Sequence, residues 1–276
     1  MSEFPRNAGD RAGSPGRRTP WYAVGGASLA GALAVGAAAI LFATGAFAGA
    51  DMSATAPDAG GNGDASQSVE SSGTGDSIAP SASASATGLP VADSAWVTRM
   101  SAASGVPERA LRAYAMAELT LAQEQPGCRL GWNMLAGIGK VESDHGRING
   151  SRMLADGTTT PRIIGVPLDG TKFLATPDTD GGAVDGDPEW DRAVGPMQFI
   201  PSTWAMFGRD GNGDGRLDID QIDDAALSAA TLLCDPGLDL TVGENWIAAL
   251  DGYNPSASYN NDVADAAEFY AQLGSG

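Results

Sequence analysis

The stretch Gly131 to Gly146, GWNMLAGIGKVESDHG, places a carboxylate where a helix would bury it. Leu135, Ile138 and Glu142 stand at i, i+3 and i+7, so on a helix Glu142 continues an apolar stripe toward the interior. Gly137 and Gly139 lie inside the same helix, and each costs about 1 kcal/mol relative to alanine unless another helix or a ligand approaches closely there. Asp144, His145 and Gly146 read as the helix end, with Gly146 suited to the left-handed conformation. A partly desolvated carboxyl in the last turn, beside a loop, stays protonated near neutral pH, as a general acid requires. The competing reading is a glutamate that caps or pairs at a helix end.

The remainder of the chain limits where such a carboxyl works. Of a net charge of −18, the first fifty residues carry +2, from Arg6, Arg11, Arg17 and Arg18 against Glu3 and Asp10, and the rest carries −20. A body this acidic argues against nucleic acid as a partner and against adhesion to anionic lipid headgroups. No charge occurs between Arg18 and Asp51, and residues 21–50 are rich in Ala, Gly, Val and Leu. That length crosses a bilayer, with the arginines inside and Trp21 and Tyr22 at the interface. Ala46-Phe47-Ala48 is an A-x-A site, which leaves a cleaved signal segment as the alternative to a retained anchor.

The expected organisation is a basic cytoplasmic N-terminus over 1–20, a transmembrane anchor or signal segment over 21–50, a linker over 51–90 and an exported domain over 91–276. The linker, built of Ser, Ala, Gly, Thr, Pro and Asp, has too little apolar surface to offset the entropy of ordering. As a flexible tether of about 40 residues it reaches roughly 35 Å. The two cysteines, Cys128 and Cys234, both fall in the exported part, where a disulfide is the default and two buried thiols the alternative. Closing a loop of about 100 residues contributes roughly 4 to 5 kcal/mol in the chain-entropy model.

Within the domain, the spacing predicts a helix from Pro107 to about Gln125, the Glu142 helix from Trp132 or Asn133, and helices over about 224–233, 244–250 and 261–273. Between Gly150 and Gly195 the periodicity is replaced by Gly, Asp, Thr and Pro, with Ile163 to Val166 as one arm of a β-hairpin. The carboxylates of this insertion, Asp178, Asp180, Asp185, Asp187, Glu189 and Asp191, read as solvated loop groups or Asx-turn formers. In GPMQFIPSTW, residues 195–204, Pro201 starts a short helix and leaves Gln198 on a tight turn, a neutral amide suited to a sugar hydroxyl or acetamido group. Asp210, Asn212 and Asp214, with the Arg216 carbonyl, match the first half of an EF-hand calcium loop. Gln221 at position 12 does not chelate bidentately, so Asp224 closes the loop in this reading, with a metal-free turn as the alternative.

With His145 as the sole histidine, a zinc hydrolase with several histidine ligands is excluded. The chain has neither a G-x-S-x-G elbow nor a phosphate loop, and the economical chemistry left is protonation of a glycosidic oxygen by a carboxylic acid. Val141-Glu142-Ser143, then GPMQFIPSTW, then Tyr253-Asn254 resemble the signature segments of lytic transglycosylases. With the D-x-N-x-D-G loop they are most similar to the membrane-bound lytic transglycosylase B family in its actinobacterial form.

The resemblance covers about Trp96 to Gly276. It implies a mainly α, lysozyme-like domain with irregular loops and a small β-hairpin, acting on peptidoglycan glycan strands. It also implies that Glu142 protonates the leaving oxygen and then takes the C6 hydroxyl proton of N-acetylmuramic acid, giving a 1,6-anhydro end. Ser143, Gln198, Tyr253 and Asn254 would orient Glu142 or contact the sugar, and calcium held by Asp210, Asn212, Asp214, Arg216 and Asp224 would be structural, with no cofactor for catalysis. The 150–191 insertion has no counterpart in the resemblance. The rivals are a muramidase on the same fold, in which water replaces the C6 hydroxyl, and a calcium-stabilised wall-binding module without activity.

Overall fold

The computed structural model describes residue 80, residues 82–84 and residues 89–273. The expected anchor or signal segment, 21–50, and most of the linker lie outside them. No helix among the described residues is long and apolar enough to cross a membrane. These residues form seven α-helices, a 3-10 turn at Ile148–Gly150 and two two-stranded sheets, a mainly helical architecture that fits a lysozyme-like fold.

Strand β1, Ala82–Ala84, pairs antiparallel with β2, Pro90–Ala92, so regular pairing begins inside the stretch read as linker. Asp93 then accepts a hydrogen bond from the Trp96 amide at 2.7 Å and opens α1, Ser94–Ser104, a helix the periodicity does not mark. Helix α2, Glu108–Glu124, buries Leu111, Tyr114 and Leu121, with Pro107 immediately before it. Helix α3, Trp132–Ser143, has the expected start and buries Leu135, Ile138 and Glu142 on one stripe. Fully burying an aliphatic side chain such as Leu135 or Ile138 stabilises by about 1.5 to 3 kcal/mol, and Glu142 is carried inside by that stripe.

The hairpin is not where the sequence suggests. It joins β3, Arg152–Met153, to β4, Thr159–Thr160, while Ile164 makes only a single bridge to Val194. Beside that bridge Gly165 N donates to the Ala193 carbonyl and Gly195 N to the Ile163 carbonyl, each at 2.8 Å, and in the loop that follows aspartate side chains accept the backbone N–H groups. Asp178 takes those of Asp180, Gly181 and Gly182, Asp180 those of Ala183 and Val184, and Asp185 that of Arg192. The Asx-turn reading therefore holds for these residues, but Asp185 and Asp191 are buried instead of solvated.

Helix α4, Pro201–Phe207, starts on its proline. Helix α5, Ile222–Cys234, begins before the expected Asp224 because Gln221 Oε1 accepts from the amides of Asp223 and Asp224. After α6, Gly243–Tyr253, Ser256 caps α7, Ala257–Gln272, which likewise starts earlier than the periodicity suggests. Two helix pairs organise the core, α2 along α5 and α3 along α7. Cys128, just before α3, is bonded to Cys234 at the end of α5.

Both helical glycines in α3 have a packing reason. A Cβ on Gly137 would lie 2.8 Å from the Val263 carbonyl oxygen of α7, and one on Gly139 would overlap the Tyr114 hydroxyl. Backbone contact at Gly137 sets the α3–α7 spacing, and the same antiparallel register brings Asn133 Nδ2 to the Ala267 carbonyl at 3.2 Å.

Candidate active site

Glu142 sits in the last turn of α3 with 6 % of its surface exposed. Its Oε1 accepts a hydrogen bond from the Tyr259 hydroxyl at 2.7 Å, and its Oε2 is buried with no partner. Burial raises the carboxyl pKa well above 4.5, and the Tyr259 bond opposes that shift. A shift in that direction favours the neutral carboxyl, the form a proton donor needs.

The turn that follows α3 is sharply bent, with φ of 50° at Asp144, 59° at His145 and 81° at Gly146. His145 N donates to the Gly139 carbonyl at 2.8 Å and closes the helix. The imidazole is no open loop group: it is 1 % exposed and lies between the hydroxyls of Tyr114 (3.2 Å) and Tyr270 (3.1 Å). Burial pushes its pKa down to about 3, so it is neutral and bridges three elements instead of serving a nucleophile.

Ser143 spends its hydroxyl on the protein. Oγ donates to the Pro196 carbonyl at 2.6 Å and accepts the Gly146 amide at 2.7 Å, tying the end of α3 to the turn at residues 195–198. That turn is closed by the Val194–Phe199 pair, whose two amides exchange bonds of 2.8 and 3.0 Å. Gly195 takes φ 79° with no room for a Cβ against the Ile219 carbonyl, and Gln198 takes φ 52°, a conformation non-glycine residues seldom hold. Gln198 Nε2 donates to the Gly195 carbonyl at 2.8 Å, which fixes the amide plane within the turn.

Tyr253 closes the arrangement from α6. Its hydroxyl donates to the Met197 carbonyl at 2.7 Å and its ring stacks on Tyr259, centroids 6.5 Å apart at 6°. Asn254 is buried, and its Oδ1 accepts the Ser256 amide at 3.1 Å just before α7. Ser143 and Tyr253 are thus both bonded to the 195–198 turn, within which Gln198 bonds Gly195, while Asn254 bonds Ser256. Tyr259, which the sequence analysis does not single out, is the partner of Glu142. Its signal in the sequence is faint: an aromatic one turn into a helix, six residues after Tyr253. An open cavity of about 500 Å³ elsewhere, lined by Arg109, Arg112, Asn212 and Asp223 among others, contains none of these residues.

The Asp210 loop carries the oxygen donors a hard cation takes. Asp210 accepts the amides of Gly213, Asp214 and Gly215, and the fully buried Asp224 accepts those of Gly211 and Asp218, each at 2.8 Å. Burial, with Asp210 nearby, raises the Asp224 pKa to about 6. Both oxygens of Asp210 and of Asp224 thus accept amides of their own loop. Gln221 is the cap of α5 instead of a ligand. Among the described residues, the carboxylates with oxygens within 4.8 Å of one another are a different set, Asp178, Asp180 and Asp191. They already accept N–H and O–H groups of their own loop.

Residues 184–247 match the sequence description of the transglycosylase SLT domain. The match indicates a peptidoglycan lytic transglycosylase. The matched residues hold the 195–198 turn, α4, the Asp210 loop and α5, and they begin inside the insertion that ends at Asp191. Glu142, Tyr253, Asn254 and Tyr259 lie outside the match and reach it through the bonds of Ser143 and Tyr253. Neither a curated protein nor a solved structure matches the chain.

Proposed function

We propose that the chain cleaves the β-1,4 bond between N-acetylmuramic acid and N-acetylglucosamine, with Glu142 as its single acid and base. The observation that carries this reading is the buried, unpaired Oε2 of Glu142, whose neighbour Ser143 is bonded to the turn of the transglycosylase match. Protonated Glu142 gives its proton to the glycosidic oxygen as the C1–O bond breaks. The carboxylate then takes the proton of the muramic acid C6 hydroxyl as that oxygen bonds to C1. A 1,6-anhydro end forms, water is not consumed and Glu142 is again protonated. The two-carboxylate scheme of most glycosidases needs a second acid near the first, and this reading assigns none.

In this reading the Gln198 amide, oriented by Gly195, meets the sugar, while Ser143, Tyr253 and Asn254 hold the turn and the two tyrosines in place. Asp210, Asn212, Asp214, Asp224 and the Arg216 carbonyl would hold calcium, which supplies rigidity beside the site and no step of the reaction. The chain belongs, on this reading, with the membrane-bound lytic transglycosylase B-like enzymes, and residues 21–50 tether or export the domain toward the wall. Mass spectrometry of purified peptidoglycan digested by the full-length chain is expected to show anhydro-muramic ends, absent with Glu142→Gln. Ordinary reducing ends would make it a muramidase, and glycan bound but uncut would make it a binding module.

A further inference from the structure

Among the described residues Tyr259 alone hydrogen-bonds the Glu142 carboxyl, and it does so at one oxygen only. A neutral carboxyl has an acceptor oxygen and a hydroxyl oxygen, and a phenol that donates to Oε1 makes Oε1 the acceptor. The proton then belongs on Oε2, the buried atom that no protein group satisfies. We propose that Tyr259 is a positioning residue that selects the oxygen of Glu142 from which the proton is transferred, keeping Oε1 as acceptor and presenting Oε2–H to the glycosidic oxygen. This assignment rests on Glu142 being the acid of the proposed reaction.

Three features hold Tyr259 to that task. Ser256 caps the helix one turn before it and fixes where α7 begins. The Gly137–Val263 contact sets the distance between α3 and α7, one turn beyond Tyr259. The Tyr259 ring stacks on Tyr253, itself anchored to the Met197 carbonyl. Burial together with Glu142 itself raises the pKa of both phenols and keeps them neutral donors.

The geometry also favours the charged state that follows proton transfer. Once Oε2 has released its proton, the Tyr259 bond becomes charge-assisted and strengthens. An interaction stronger after the transfer than before it accelerates the step instead of only tightening binding. When the C6 hydroxyl returns a proton to Oε2, Tyr259 stays where it is.

The test is kcat against pH for the full-length chain, Tyr259→Phe, Glu142→Gln and a chain with 3-fluorotyrosine incorporated at position 259, all on a soluble glycan strand. Tyr259→Phe is expected to lower kcat about 10- to 100-fold, the range of one hydrogen bond to a charged group. It should also move the alkaline limb to higher pH, because losing the donor destabilises the carboxylate. Fluorotyrosine is nearly isosteric and a stronger donor, and should move that limb to lower pH. Opposite displacements support the assignment, and a limb that stays put in the fluorotyrosine chain overturns it, even if Tyr259→Phe fails to fold. If Glu142→Gln abolishes turnover while both Tyr259 changes leave the limb in place, Tyr259 loses its role and Glu142 keeps its own. Turnover by Glu142→Gln would instead remove Glu142 from the reaction.

Discussion

Glu142 is an acid held in a place where only its neutral form is comfortable, and this has a cost that pH reveals. Its pKa in the folded protein is raised above the ordinary value of 4.5 by burial. The sign of the linkage follows: stability from the neutral carboxyl is fully present below about 4.5 and is lost as pH rises from there toward the folded value. Glu142→Gln keeps the shape and removes the titration. We expect the two proteins to melt alike near pH 4 and Glu142→Gln to melt higher at pH 9, by calorimetry. Identical curves at both values would mean that the carboxyl is not desolvated. His145 shows the complementary case, a base kept neutral by burial between two phenols.

At the scale of elements, the α3–α7 crossing does most to build the site. Gly137 weakens α3 as an isolated helix by about 1 kcal/mol, yet its missing side chain is what lets the α7 backbone come close. Gly137→Ala should improve the helix and damage the pair. The added Cβ meets a backbone oxygen that has no rotamer to change, and overpacking of this kind costs about 1 to 3 kcal/mol. We expect a lower Tm and reduced turnover, because pushing α7 outward carries Tyr259 away from Glu142. A Tm equal to or above that of the unmodified chain would show that the helices separate freely. Helix α3 is held at its other end too, where Glu118 of α2 accepts the Trp132 amide at 2.8 Å.

For the whole molecule, the transglycosylase match and the acid come from different parts of the chain and depend on connections between them. The Asp210 loop lies between α4, beside the 195–198 turn, and α5, which packs on α2 and is bonded to the start of α3 through Cys234–Cys128. If calcium occupies this loop, it stabilises the folded state by mass action. EDTA should then lower the Tm by several degrees and added calcium restore it. A melting curve indifferent to both would identify a loop held by its Asx turns alone.

Much of this arrangement was legible in the residues. A 3.6-residue period shows which face of α3 is buried, and so placed Glu142 inside. Gly195, Pro196 and Pro201 marked the turn that carries Gln198, and two cysteines in the part read as exported pointed to their bond. Those are short-range signals, or a pairing with a single solution. Ile163 to Val166 does lie antiparallel to residues 193–195, but with one bridge at Ile164 and Val194, while the regular hairpin forms at Arg152–Met153 and Thr159–Thr160; which of two neighbouring short segments pairs more fully is set by loop closure. Tyr259 went unseen because it meets Glu142 across 117 residues of sequence. The sequence by itself determined that a carboxyl is buried at the end of a helix, since periodicity is local and burial follows from it. Only the tertiary structure decided which group touches that carboxyl, since a partner depends on how closely and in what register two helices cross.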